Sequence, residues 1–331
     1  MAPDKVTPRR MWSAVALSVA IALLVGCLAP LVGSSSIDYA KAFAGESPHR
    51  EILFYARIPR VLLALLAGGA LSLAGVLFQA LLRDALATPD TLGISSGAAL
   101  GAVLAICFGA QRFPIWPAAF VGAGCTLLIV LAIASEGRRM SSFTLLLAGV
   151  SINSISMAMI LFLQHLTDFS QSFGILRWLM GGIDAVDYST LGWLALAIAT
   201  GAAYILTRAR DWNLLAVGEE WAAARGVSTH RLLFGGYLAG SLLTGAVTAL
   251  TGPILFVGLI VPHALRLWIG ADHRILAPCA FFLGAAFLAV CDAVARTALA
   301  PTEVPVGVIT ALLGGPFFIW LLRSKRRSLW M

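Results

Sequence analysis

Few residues in this 331-residue chain could do covalent chemistry. Its three lysines are Lys5, Lys41 and Lys325, and none follows a glycine. A phosphate loop ending in Gly-Lys-Ser/Thr is therefore excluded. No His-Glu-x-x-His pattern occurs, and the five histidines are scattered. Cys27, Cys107, Cys125, Cys279 and Cys291 all lie in apolar runs without a Cys-x-x-Cys pair, which suits buried small hydrophobes better than a metal site or disulfide framework. No catalytic residue and no metal ligand is expected, so the chain reads as a non-enzyme. The charged residues are more informative. Asp292 and Arg296 stand four apart inside an apolar run, on one face of a helix. Such a pair either serves a pathway or neutralises itself. His49 and His165 have the places of interfacial polar residues, with ligand contact as the alternative. Residues 213–231, from Asn213 to Arg231, form an amphipathic, helix-prone stretch with a glycine stop and the spacing Glu220-x-Ala222-x-x-x-Gly226.

The elements that position these residues follow from hydropathy. Hydrophobic residues make up 60% of the chain and charged ones 12%, with mean hydropathy +0.90. A soluble surface cannot be built from this. The apolar runs approach the roughly 20 residues that cross a bilayer as a helix. Ten spans are expected, at about 11–33, 58–82, 92–109, 114–135, 143–166, 188–207, 232–252, 254–269, 276–299 and 306–322. A short helical piece is expected at about 174–181. The eighth span is short, follows Pro253 and contains Pro262, so it reads as a full crossing or a half-helix. Leu24-Val25-Gly26-Cys27 resembles a lipoprotein processing site, but the apolar run continues to about Gly33, as a retained span would.

With the N-terminus inside, all but seven of the 23 basic residues fall in inside breaks; the seven are Lys41, Arg50, Arg57, Arg60, Arg112, Arg177 and Arg296. Both termini are therefore expected in the cytoplasm. The net charge of +7 follows the membrane and points to a lipid bilayer, not to nucleic acid. Gly93, Gly97 and Gly101 share a face of span three, as close helix packing requires. Arg60, Gly69, Leu71 and Val76 of span two recur as Arg231, Gly240, Leu242 and Val247 of span seven, five spans later and so in the opposite direction. An inverted repeat of spans two to five and seven to ten is expected.

Longer motifs identify a family. Arg57-Ile58-Pro59-Arg60 is followed by Gly69, Leu71, Gly75 and Gln79, then Leu86-Ala87-Thr88-Pro89 and Leu92-Gly93-Ile94-Ser95-Ser96-Gly97-Ala98. Segments 145–151, 178–183, 252–267, 272–274, 292–297 and 303–319 continue the pattern. From about residue 50 onward the chain resembles the FecCD family, ABC importer permeases for cobalamin, ferric siderophores and haem. The resemblance implies an all-α, type II importer permease forming one transmembrane domain over residues 1–331. It implies a homodimer, two cytoplasmic ATPases and a periplasmic binding protein in the bacterial inner membrane. ATP and magnesium would belong to the ATPases, leaving no cofactor on this chain.

Residue by residue, the resemblance assigns ATPase coupling to Glu219, Glu220, Ala222, Arg225, Gly226 and Val227, where a plain solvated helix is the alternative. It assigns binding-protein docking to exposed arginines Arg57, Arg60 and Arg296, with lipid headgroup contact as the alternative. It assigns a cytoplasmic gate to Asp84, Leu86, Ser142 and Phe143. Arg177 and His165 are candidate substrate contacts. Similarity to bacterial haem permeases points to haem first, then ferric siderophore, then cobalamin. Two positions depart from the family: Asp84-Ala85 replaces Asn-Pro, and Arg225 replaces Leu before the loop glycine. An ion-coupled secondary transporter is the rival class, but only Asp292 supplies a carboxylate within a span.

Overall fold

The computed structural model describes residues 8–33, 35–108, 114–134 and 141–326. Lys5, Arg112, Arg138, Arg139 and Arg327, part of the expected charge asymmetry, lie outside them. All regular structure among the described residues is helical. Helix α1 (Pro8–Leu28) leads to a short outer segment with α2 (Tyr39–Ala44) and α3 (His49–Glu51). A π-helical stretch, Ile52–Arg57, runs straight into α4 (Ile58–Leu82). Then follow α5 (Ile94–Cys107), α6 (Trp116–Ala134), α7 (Ser142–Leu166), α8 (Phe169–Leu179) and α9 (Tyr188–Thr207). A connector of α10 (Ala209–Val217) and α11 (Glu219–Ala224) leads to α12 (Thr229–Thr251), α13 (Val257–Ile269), α14 (His273–Thr297) and α15 (Val306–Arg326).

Among the described residues, ten apolar helices thus stand where ten spans are expected. Seven are long enough to cross a membrane outright; Ile94–Cys107, Val257–Ile269 and Val306–Leu321 are shorter. The short piece expected at 174–181 is α8, which begins earlier because Asp168 caps it by accepting from the backbone N–H of Gln171.

Helices α4 and α12 form the core: 83% and 78% of their most apolar stretches are buried, against 28% for α6, α7 and α9. Small residues permit this. Gly75 of α4 lies directly against the backbone of Gly258 in α13, with no room for a Cβ. Gly97 and Gly101 of α5 press on α6 at Thr126 and Ala118, as lipid-embedded helices without a hydrophobic drive between them require.

Helix α13 spans only about 20 Å at 1.5 Å per residue, less than the roughly 30 Å hydrocarbon layer. It starts beside the middle of α4, after residues 252–256 descend from the end of α12. This is the half-helix alternative. The irregular segment is enclosed by protein: the N–H of Gly182 donates to Thr251 O, and the backbones of Trp178 and Gly181 pack on it. Helix α5 is similarly short and likewise follows a long core helix. Both have left-handed N-caps, Gly93 (φ 80°) and Phe256 (φ 69°). That pairing is the structural counterpart of the repeat between α4 and α12.

Candidate functional site

At one end of the bundle sits the connector. Trp212, 1% exposed, fastens α10 by donating from Nε1 to Ile205 O. Asn213 ties α10 to α14: its Nδ2 donates to Asp272 at 2.8 Å and its Oδ1 accepts from the N–H of His273 at 2.8 Å. The Arg274 guanidinium beside Asp272 holds that carboxyl down at about 2. Helix α11 projects further. Glu220, Trp221 and Arg225 are exposed, Ala222 is fully buried, and the Arg225 guanidinium lies 5.9 Å from the Trp221 ring centre. The helix ends in a Schellman arrangement: Val227 N–H donates to Ala222 O, Gly226 N–H to Ala223 O, and Gly226 takes φ 84°.

The residues read as a gate lie at the same end. Leu86 and Phe143 are exposed, at 54% and 72%. Asp84 is exposed, and its Oδ1 accepts from the N–H of Leu86 at 2.9 Å and closes the turn. An asparagine oxygen would do the same, so the Asp84-Ala85 departure leaves the turn intact. Ser142 is buried, its Oγ 2.8 Å from Leu81 O and 3.0 Å from Glu219 Oε1.

At the opposite end, two of the three arginines read as exposed, Arg57 and Arg296, are buried. Arg57 is 6% exposed and donates to Pro30 O, Tyr39 Oη and Ser35 O. Arg296 is 3% exposed; its guanidinium pairs with Asp292 at 3.0 Å and donates to Val32 O and Ala29 O. Both are turned inward, onto backbone carbonyls of the chain leaving α1. Arg60 meets Asp292 at 3.1 Å and Glu303 at 2.7 Å. Asp292, wholly buried, is thus shared by two guanidiniums, which favours neutralisation over the pathway alternative.

Beside this cluster is a cavity of ≈ 440 Å³, walled by Arg60, Arg177, Trp178, Asp184, Leu250 and Glu303 among others. Arg177 is exposed there. His165 is exposed but does not line it, and His49 accepts from the N–H of Asp38 through Nδ1.

Sequence reasoning missed the polar face of α7. Ser151, Asn153 and Ser154 are exposed midway along a helix whose other exposed residues are apolar apart from His165 near its end. Ser151 and Ser154 donate to their own helix backbone, at 2.9 and 3.0 Å, while Asn153 presents an amide. An amide in the middle of an apolar run was the available signal. Gly93-Ile94-Ser95-Ser96-Gly97 also has the spacing of a hydrolase nucleophile elbow. Here it opens a helix after a 3₁₀ turn and Ser95 is buried, so the strand-to-helix elbow is not formed.

A bundle of apolar helices with an enclosed half-helix and a projecting connector is the architecture of a polytopic membrane protein. The profile of the FecCD transport family matches residues 20–324, and the chain belongs to that family. It is 40% identical over 278 residues to the hemin transport system permease protein HmuU of Yersinia pestis, covering 82% of this chain and 83% of that one. It is 39% identical over 278 residues to the vitamin B12 import system permease protein BtuC of Citrobacter koseri, covering 82% of each. A solved inward-facing metal-chelate type ABC transporter matches with TM-score 0.83 at 28% identity, covering 95% of this chain and 99% of the other. The chain is therefore a permease subunit of an ABC importer, not an enzyme; ATP hydrolysis belongs to a separate subunit.

Proposed function

We propose that the importer carries haem, with both termini of this chain cytoplasmic. The observation that supports haem is Arg177. It is an exposed cation on the wall of the ≈ 440 Å³ cavity, beside Trp178, and makes no ion pair among the described residues. A guanidinium next to an aromatic ring suits a flat ligand bearing carboxylates. The likeness to a hemin permease supports the same reading. Cobalamin is the second reading, because the vitamin B12 permeases are as similar.

The chain acts as a homodimer with the pathway between the copies. The polar face of α7 supports this, since Ser151, Asn153 and Ser154 suit a water-lined or helix-covered position better than lipid. A periplasmic binding protein docks at the outer end. Arg60, which reaches the cavity wall and is the least buried of the three, would present its Glu303 pair there, while Arg57 and Arg296 hold the chain beneath.

The test is ATP-driven uptake by the reconstituted importer with haemin, a ferric siderophore and cyanocobalamin compared. Haemin should be carried best. Arg177→Glu should raise its apparent KM about tenfold, the equivalent of roughly 1.4 kcal/mol. Preferential uptake of cyanocobalamin, with Arg177→Glu neutral, would replace haem by cobalamin.

A further inference from the structure

The first carboxylate of an exposed connector helix would ordinarily face the partner below it. Glu219 turns back into its own chain. Its Oε1 lies 3.2 Å from Nη2 of Arg83 and 3.0 Å from Oγ of Ser142. Arg83 is the left-handed cap of α4, at φ 54°, and Ser142 is the first residue of α7. One oxygen therefore joins the connector to the end of α4, three residues before Leu86, and to the start of α7, one residue before Phe143.

Ser142 makes the junction two-sided. A hydroxyl has one proton to donate, and its Oγ has two acceptors, Glu219 and the carbonyl of Leu81 at 2.8 Å. If α11 moves away, Ser142 still has Leu81, so no buried donor is orphaned. Helix α10 is fastened separately through Trp212 and Asn213. Displacement of α11 can therefore reach α4 and α7 through Glu219 without loosening the rest of the connector.

We propose that Glu219 is a positioning residue that transmits movement of α11 to the turns carrying Leu86 and Phe143. This rests on the importer reading. The ion pair joins an exposed Arg83 to a half-buried Glu219, both within reach of water, and contributes little to folding, so its loss should appear mainly in coupling.

The experiment uses the complete importer in proteoliposomes, with haemin and cyanocobalamin as probes. Glu219→Ala should lower probe carried per ATP hydrolysed at least fivefold, with ATP hydrolysis within twofold of the parent and assembly unchanged. Arg83→Gln, which leaves α11 untouched, should reproduce the loss. Glu219→Gln keeps an acceptor for Ser142 and should retain more coupling than Glu219→Ala. Unchanged coupling in Glu219→Ala overturns the proposal. So does failure of that variant to hold the ATPase, which would make Glu219 a partner contact. A parent complex that hydrolyses ATP but carries neither probe counts against the substrate reading alone. The tie is then read from maleimide labelling of a Leu86→Cys reporter. Its difference between ATP-bound and nucleotide-free states should vanish in Glu219→Ala, and persistence of that difference overturns the proposal.

Discussion

Asp292 shares its carboxylate between Arg60 and Arg296, and that cluster shows how far single residues can be read. The spacing of Asp292 and Arg296 is plain in the sequence. Arg60, 232 positions from Asp292, is not signalled as its partner. Burial separates the roles of these charges. Removing one member of a buried, hydrogen-bonded pair leaves an uncompensated charge, which typically costs about 3–5 kcal/mol. Asp292→Asn should therefore destabilise the permease by about 3 kcal/mol, measured as a lowered unfolding midpoint in mild detergent. An unchanged midpoint would mean that solvent reaches Arg296.

Helix α13 carries the argument at the scale of elements. Its brevity and its prolines are legible, but its depth is set by the contact of Gly75 with Gly258. A methyl at Gly75 would meet the Gly258 carbonyl, and backbone cannot swing aside as a side chain can. Overpacking of this kind typically costs about 1–3 kcal/mol. Gly75→Ala should reduce the yield of monodisperse protein on size exclusion. Gly124→Ala, where an added Cβ meets nothing within 4 Å, should not.

For the whole molecule, the connector is where outside force is expected to enter. Gly226 ends α11 at φ 84°. Proline is held near −65° and cannot take its place without rebuilding the turn. Gly226→Pro should cut substrate uptake at least tenfold while the permease still reaches the membrane and α10 stays fastened through Trp212 and Asn213. Uptake at the parental rate by a stably inserted Gly226→Pro protein would remove coupling from this turn. The variant touches the end of α11 and Glu219 its beginning, so the two report separately on the connector.

The sequence alone determined the class of this protein, because bilayer thickness turns hydropathy into helix count almost without regard to packing. It also determined the family, since the motifs around Arg57–Arg60, Leu86–Pro89 and Leu92–Ala98 are local and ordered. It placed the connector glycine, because a helix stop at positive φ is a local demand. The tertiary structure decided which way side chains face. Arg57 and Arg296 looked exposed because they lie at helix ends, yet the carbonyls of Ala29, Pro30, Val32 and Ser35 draw them inward. Asp84 is a lone carboxylate in the sequence, and in the fold its Oδ1 closes a turn by accepting from the N–H of Leu86. Glu219 is a carboxylate on an exposed connector, and the fold bonds it to Arg83 and Ser142. In each case the deciding group lies elsewhere on the folded chain or depends on a turn geometry that residue type leaves open, and no periodicity in the sequence records it.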